Sequence, residues 1–337
     1  MSKYKKIWGI FFSLFFLWLA LRKINIESIP SAFSEINPYY LILLSLSYTL
    51  ELLLRAHRWM LIQPNEKITF KYSLYGLVLT FFFNFILPAR AGEFFKPYYF
   101  AKKNIAESGD TLAAVVLERF FDGVMLLGLI LVSFQIFTSN EILKQASIIT
   151  AVFYAIVLIG ILAAIFARKL FEKVTNYCFN LLPAKLGSFL SNLTAKFIDG
   201  LSTIKDIKRL LKILISSALC WLSSALTVWI GFKAFNIEDS FIIASFVLTV
   251  LSISSLIPAS PGNIGVYEYF CVFTFNILGH TSEKGTAFSI VMHGAQYLFV
   301  IISGIIIAII EGIKINEFSN STKDKDISSD TLQEKSA

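Results

Sequence analysis

The sequence predicts an all-α polytopic membrane protein, with about six spanning helices and two re-entrant helical hairpins arranged as an inverted-topology repeat. The first observation is composition. Of 337 residues, 56% are hydrophobic and 16% are charged, and the mean hydropathy of +0.68 lies outside the range of soluble proteins. The second is a series of apolar runs near the roughly 20 residues that cross a bilayer. The third is a pair of matching Pro/Gly motifs, LPARAGE at 87–93 and IPASPGN at 257–263.

Eight apolar blocks follow one another along the chain. Six are typical of spanning helices, at 7–22, 39–60, 111–136, 146–167, 211–235 and 286–311. The first is expected to be retained, since no small-residue cleavage site of a signal peptide follows it. The other two, 72–103 and 241–278, each contain a Pro/Gly break between two apolar runs. Because broken backbone at membrane depth needs protein or water to satisfy it, these two blocks are expected to be buried hairpins.

The orientation follows from the loop at 168–212. It contains nine Lys and Arg residues against three acids, which places it in the cytoplasm. Its leucines and phenylalanines recur at helical spacing, so it is predicted to be amphipathic. Its expected partner is the anionic inner leaflet, although helices packed on the protein's own cytoplasmic face would give the same pattern.

Threading the chain from this loop makes 72–103 re-entrant from the cytoplasm and 241–278 re-entrant from outside. Both termini are then cytoplasmic. The predicted repeats are 1–137 and 138–311, followed by a disordered tail at 312–337. Matching broken segments in inverted halves are typical of transporters, in which they mark the substrate site.

The two motifs contain residues suited to an anion site. Proline and glycine end one half-helix and start another, and the N-terminus of a half-helix attracts anions. The first hairpin adds polar and charged side chains around Pro88 and Gly92: Asn84, Arg90, Glu93 and Lys96. The second contains Pro258, Pro261, Gly262, Gly265 and Glu268. The alternative is that Pro and Gly only permit tight packing and that Arg90 pairs with Glu93.

Charged residues also lie inside two predicted spans. Glu118 and Asp122 share a helix face with Arg119 beside them, and Arg55 and Arg58 follow Glu51 at spacings of four and seven. Charges at this depth are costly and usually face a bundle interior or an aqueous cavity. These residues are therefore candidates for lining a cavity, and a neutralised structural ion-pair network is the alternative. Arg58 could equally be an anchor at the inner membrane interface.

Several classes of site and partner are not expected. The three cysteines and three histidines are scattered, so neither a metal site nor a cofactor is predicted. The net charge of +7 arises in loops beside membrane segments, which argues against a nucleic-acid partner. Homo-oligomerisation is left open.

Four stretches occur in an order that resembles a known family: RAHRW, FNFILPARAGEFFKPYYF, ERFFDGVMLL and LIPASPGNIGVYEYF. They resemble signatures of the lysylphosphatidylglycerol synthase transmembrane region, also described as flippase-like membrane proteins, over about residues 5–312. The resemblance implies an inner-membrane protein that acts on lipids. In the long synthases this region translocates an aminoacylated lipid made by a separate soluble domain. The chain is expected to depart from the pattern by having no such domain, and it has Asn263 where the family often has glycine.

The resemblance implies functional roles for the residues that match its motifs: Arg55, Arg58, Asn84, Pro88, Arg90, Gly92, Glu93, Glu118, Arg119, Asp122, Pro258, Pro261, Gly262, Gly265 and Glu268. The expected function is translocation of a lipid with an anionic or phosphate-bearing headgroup. Without a soluble domain, aminoacyl transfer is not expected. The alternatives are a membrane-embedded enzyme acting on polyprenyl phosphate or phospholipid, similar to a glycosyltransferase, and an auxiliary membrane subunit.

Overall fold

The structure is a computed structural model that describes residues 36–63, 65–133, 168–183, 207–257 and 261–313, with isolated positions elsewhere between 141 and 195. The predicted all-α class is confirmed, since the described residues contain helices and no strand. The helices are α1 (Tyr39–Ile62), α2 (Phe70–Ile86), α3 (Phe95–Lys102), α4 (Ser108–Val132), α5 (Arg168–Asn180), α6 (Ile207–Ala234), α7 (Phe241–Ser254), α8 (Val266–Ile277) and α9 (Ser282–Ile310). The predicted span at 7–22 and most of the tail lie outside the described residues, as does much of the block at 146–167.

Two helix pairs are interrupted where the sequence has its matching motifs. A 3₁₀ segment, Pro88–Phe94, joins α2 to α3 and is called the first break. The 3₁₀ turn Pro261–Asn263 and the two residues after it, together 261–265, join α7 to α8 and form the second break. We call α2 with α3 the first broken segment and α7 with α8 the second broken segment. Pro258 lies outside the described residues.

Three of the described helices, α1, α6 and α9, are long and apolar enough to cross a membrane. Helix α4 has 25 residues but contains three charged side chains, Glu118, Arg119 and Asp122, within its apolar stretch. Helices α2 and α7 have 17 and 14 residues, fewer than the roughly 20 that a crossing helix needs. The two broken segments therefore differ in kind from the long helices around them.

Short polar side chains determine where three helices begin. The side chains of Thr69, Ser240 and Thr281 accept hydrogen bonds from backbone N–H groups in the first turns of α2, α7 and α9, respectively. Such caps satisfy N–H groups that have no partner inside the helix. Each broken segment thus has a defined start.

Both ends of the first broken segment lie at one end of the molecule. The Asn65 side-chain amide, just before α2, donates to the Ile105 carbonyl just after α3, at 3.0 Å. At the same end, Lys103 pairs with Glu311 after α9, at 2.7 Å. Arg209 in the first turn of α6 donates to the Leu61 carbonyl in the last turn of α1. Helix α6 is described from Ile207, which lies inside the stretch 168–212 that the sequence assigned to the amphipathic loop.

Both ends of the second broken segment lie at the opposite end of α1. There the Asn37 backbone N–H, before α1, donates to the Ala234 carbonyl at the end of α6, at 3.0 Å. Asp239 before α7 contacts His280 after α8, at 2.7 Å. The two broken segments thus enter the bundle from opposite ends.

Two apolar cores accompany the two broken segments. The first surrounds α2 and α3, with Phe83, Phe95 and Phe100 at its centre. The second surrounds α7 and α8, with Phe246 and Phe275 among its buried residues. Helices α1, α6 and α9 contribute to both cores. They form a frame that holds the two breaks face to face in the middle of the bundle.

Candidate functional site: a charged cavity between the two breaks

A cavity of ≈ 480 Å³ lies where the two breaks meet. Its wall combines side chains of α1, α2, α4, α6, α7, α8 and α9 with residues of both breaks. Apolar groups such as Phe81, Leu248 and Met292 share the wall with hydroxyls, amides and charges. A volume of this size is typical of pockets that enclose small ligands.

Positive charge is in excess on the cavity wall. Among the described lining residues, Arg55, Arg90 and Arg119 face two acids, Glu51 and Glu93. Arg55 pairs with Glu51 one turn away, at 2.7 Å. Arg119 lies 3.9 Å from Glu93. With histidine neutral, these five side chains sum to a charge of +1, which favours an anionic ligand.

Part of this wall has unused hydrogen-bonding capacity. Asn84 donates through its amide nitrogen to Glu93, at 3.5 Å. Within the described part of the chain, three buried atoms nearby have no hydrogen-bond partner: Asn84 Oδ1, Glu93 Oε2 and Arg119 Nε. Buried polar atoms are normally satisfied. The wall of the first break therefore offers acceptors and a donor to a polar group entering the cavity.

Local backbone geometry shapes the first break. Pro88 occupies the start of the 3₁₀ segment, where its missing N–H costs nothing. Arg90 has a φ of 54°, a left-handed conformation that is uncommon for a residue with a side chain. A Cβ at Gly92 would overlap the Thr80 carbonyl oxygen and lie 2.5 Å from the Asn84 nitrogen. Glycine thus allows the first break to pack directly against the backbone of α2.

The second break consists largely of left-handed backbone. Gly262, Asn263 and Gly265 have φ values of 68°, 64° and 87°. The Gly265 N–H donates to the Glu268 carboxylate, at 2.6 Å. The other carboxylate oxygen of Glu268 lies 2.6 Å from His293 Nδ1 on α9. The second break is therefore held on both sides by polar groups rather than by apolar packing alone.

A buried ion-pair network lies beside the cavity. Arg58 of α1 bonds to Asp122 at 2.7 Å and to Glu118 at 3.0 Å on α4. Lys96 of α3 bonds to the other oxygen of Glu118 at 3.1 Å, and its ammonium lies 3.6 Å from the centre of the Trp59 ring. The Arg58 and Glu118 side chains are fully buried.

Arg119 joins this network to the cavity. It contacts Glu118 at 3.6 Å and Asp122 at 3.3 Å, as well as Glu93 on the cavity wall. The Trp221 indole on α6 also donates to Asp122, at 3.1 Å. Three cations and three carboxylates balance one another here. A neutral network of this kind can hold α1, α3 and α4 together without a net buried charge.

The structure divides the residues singled out by sequence into groups. Those on the cavity wall are Arg55, Asn84, Arg90, Glu93, Arg119 and Gly262. Those in the buried network, away from the wall, are Arg58, Lys96, Glu118 and Asp122. Glu268 and Gly265 lie behind the second break. Ligand contacts for the second and third groups remain predictions, since their present partners are other protein groups.

Glu51 was among the charges expected to line a cavity, and it does line one. Sequence reasoning missed one part of the site. His293 was set aside with the scattered histidines, yet it lines the cavity and contacts both Glu268 and the Gly262 carbonyl. Nothing local marks His293, since Glu268 is 25 residues away. No cluster of three metal-binding side chains occurs among the described residues.

Comparison with known proteins agrees with the motif resemblance. Residues 6–304 match the family described as the lysylphosphatidylglycerol synthase TM region. The UPF0104 membrane protein MJ1078 of Methanocaldococcus jannaschii is 24% identical over 225 residues, which cover 67% of this chain and 92% of that protein. The UPF0104 membrane protein MJ1595 of the same organism is 22% identical over 320 residues, covering 88% of this chain and 92% of that protein. No solved structure matches significantly. The chain is thus a membrane protein of the lysylphosphatidylglycerol synthase TM region family.

Proposed function

We propose that the protein is a lipid transporter of the flippase type, moving a lipid with an anionic or phosphate-bearing headgroup between leaflets. The observation that carries this proposal is the cavity between the two breaks, with three arginines against two glutamates on its wall. Its ≈ 480 Å³ suits a headgroup rather than a whole lipid. The tails would stay in the bilayer while the headgroup crosses through the cavity.

The proposed mechanism relies on charge-assisted hydrogen bonds. Arginine binds phosphate through several N–H groups in a fixed plane. Arg90 is exposed on the first break, and Arg55 and Arg119 line the cavity beyond it. The headgroup would exchange water for these guanidinium groups without meeting the hydrocarbon. The acids Glu51 and Glu93 keep the net charge of the wall small, so that the bound headgroup can also leave.

The proposed topology makes the two broken segments re-entrant from opposite faces of the membrane. Its support is that each broken segment begins and ends at one end of the bundle, and that the two use opposite ends. The end with Lys103, Arg209 and Glu311 would be cytoplasmic, next to the basic loop. The frame formed by α1, α6 and α9 would cross the membrane around them, as in transporters with inverted repeats.

Transport can be tested with purified protein in liposomes that contain a fluorescent phosphatidylglycerol with a label that an external reagent bleaches. We expect faster exchange between leaflets than in protein-free liposomes. A fluorescent phosphatidylcholine measures the preference for net negative charge. No exchange of either lipid, nor of a labelled polyprenyl phosphate, would reject the transport proposal and favour an enzyme or an auxiliary subunit.

A matched pair of substitutions at Arg90 tests the role of charge. Arg90→Asn removes the charge but keeps a residue that tolerates a positive φ, whereas Arg90→Lys keeps the charge. We expect Arg90→Asn to slow exchange about tenfold, the value of one charge-assisted hydrogen bond, and Arg90→Lys to retain most of the rate. Equal rates in both variants would show that the charge of Arg90 does not attract the lipid.

A further inference from the structure

The Glu268–His293 contact lies between the second break and α9. His293 is 6% exposed and lines the cavity. Its Nδ1 lies 2.6 Å from Glu268 Oε1, and its Nε2 lies 3.0 Å from the Gly262 carbonyl oxygen. The ring stacks on Tyr267, with centroids 4.2 Å apart, and packs edge-on against Tyr297.

Both ring nitrogens of His293 face hydrogen-bond acceptors. A carbonyl oxygen only accepts, so the 3.0 Å contact with Gly262 is a hydrogen bond when Nε2 bears a hydrogen. A neutral imidazole with a hydrogen on Nε2 has a lone pair on Nδ1. That lone pair would face an ionised Glu268 with no hydrogen between them. A separation of 2.6 Å is therefore consistent with one additional proton between Nδ1 and Glu268, whichever atom bears it.

A proton in that position would join the second break to α9. Glu268 also accepts from the Gly265 N–H, and His293 donates to the Gly262 carbonyl. The pair thus spans both sides of the left-handed turn. Tyr297 adds a bond from its hydroxyl to the Pro261 carbonyl, at 3.2 Å. Without that proton, the Nδ1 lone pair and the carboxylate would repel each other, which would weaken the contact between Glu268 and α9.

We propose that Glu268 and His293 form a proton-binding site that couples proton movement to lipid transport by clamping and releasing the second break. This inference rests on the transport function proposed above and adds the coupling ion. The proton comes from water reaching the cavity, binds between Nδ1 and Oε1, and returns to water when the clamp opens. No other reactant is needed.

Among the described residues, no second carboxylate contacts the pair, so no competing acid stands beside its proton. The ionisable groups around the pair, from every element packed against it or facing it across the cavity, are Tyr267 and Cys271 of α8, Tyr297 of α9, Tyr48 of α1, Glu51 and Arg55 of α1, Arg90 and Glu93 of the first break, and Arg119 of α4. The Tyr48 hydroxyl donates to the Met292 carbonyl, beside His293. Glu51 and Arg55 are paired with each other.

One substitution keeps the contacts between Glu268, His293 and the second break, which we call the clamp, but removes its exchangeable proton. In Glu268→Gln the new amide can donate to Nδ1 while its oxygen still accepts from the Gly265 N–H, so the clamp is kept without an exchangeable proton. We expect wild-type lipid exchange to change about fivefold or more, a typical size for coupling between sites, between about pH 5 and 8. The same measurement on Glu268→Gln should give a flat profile.

A second histidine–carboxylate pair provides the matched control. His280 contacts Asp239 at 2.7 Å at the end of the second broken segment, and neither residue lines the cavity. His280→Gln should keep the wild-type pH dependence of lipid exchange. If His280→Gln flattens the profile, or Glu268→Gln leaves it unchanged, the proposed proton site is wrong.

A spectroscopic measurement tests the proton site without transport. The chain has three histidines, so the ring ¹⁵N resonances of His293 can be assigned by their loss in His293→Asn. They should shift with pH in the wild type and stay those of a neutral ring in Glu268→Gln. Titration of His293 without any lipid exchange would reject the transport function and keep the proton site. Lipid exchange with a His293 ring that does not titrate would reject the proton site and keep transport.

Discussion

Gly262 has no room for a side chain. Its φ is 68°, and a Cβ there would overlap the Tyr297 hydroxyl and lie 3.0 Å from the Phe85 ring. Those two rings stack with centroids 4.1 Å apart, so neither can easily move aside. Gly279 also has a positive φ, of 84°, but a Cβ there would meet nothing within 4 Å. A side chain at Gly279 would therefore cause backbone strain alone, whereas one at Gly262 would cause both backbone strain and steric overlap.

Replacing each of these glycines by alanine should therefore have unequal effects. Gly279→Ala should lower the free energy of unfolding by about 1 kcal/mol, the cost of left-handed backbone. Gly262→Ala should lower it by about 2 kcal/mol more, because the new methyl group must displace packed rings. Unfolding in mixed detergent micelles measures both. Equal losses would mean that Tyr297 moves away without cost.

For single residues, the sequence predicts contacts within one helix or turn but not contacts between residues on different helices. The Glu51–Arg55 pair, one helical turn apart, follows from spacing and is present at 2.7 Å. Asn263, a departure from the family pattern, adopts a φ of 64°, which asparagine tolerates better than most residues. The contact between His293 and Glu268 depends on how α9 packs against α8. No spacing rule contains that information.

Among helices, the buried network links α1, α3 and α4. Arg58 and Glu118 are 60 residues apart, yet they meet with no exposure to solvent. The sequence indicated that charges inside these helices would face the interior, and it left open whether they would line a cavity or neutralise one another. Arg58 and Lys96 take the second course, because Glu118 and Asp122 use their oxygens for them. Whether these charges line a cavity or neutralise one another depends on which partners are buried beside them on other helices, and the periodicity of one helix does not contain that information.

Charge balance in this network predicts a non-additive pair of substitutions. Glu118→Gln leaves Arg58 and Lys96 buried without a shared carboxylate, and should lower the free energy of unfolding by about 3 to 5 kcal/mol. Adding Lys96→Met restores neutrality and keeps a long side chain against the Trp59 ring. The double variant should be more stable than Glu118→Gln alone. A loss equal to the sum of the two single losses would contradict this charge-balance account.

On the scale of the whole molecule, the sequence predicted the two interrupted segments and the helical class. Helices α2 and α7 end at Ile86 and Ser254, next to the two motifs. Composition could do this because proline, glycine and long apolar runs act locally. It could not place the cavity, since the wall draws on seven helices and both breaks. The number of crossings remains a prediction.

Cysteine labelling from each side of the membrane tests the proposed topology. In a Cys178→Ser background, which removes the exposed native thiol, Glu66→Cys and Glu107→Cys flank the first broken segment. Glu238→Cys and Thr281→Cys flank the second. We expect an impermeant reagent to label the first pair from the cytoplasm and the second pair from outside. Labelling of Glu66→Cys and Glu107→Cys from different sides would mean that the first broken segment crosses the membrane.

Helix α9 also has a mechanical consequence for both broken segments. A Cβ at Gly304 would lie 2.6 Å from the Phe82 side chain, so α9 and α2 are in close contact at that point. Lys103 and Tyr99 fasten its far end through Glu311, at 2.7 and 3.1 Å. Since tightly packed elements shift between discrete positions rather than deform smoothly, α9 and the first broken segment should move together as a rigid body. Because α9 also contacts the second break through His293, a displacement of one break should be transmitted to the other through α9.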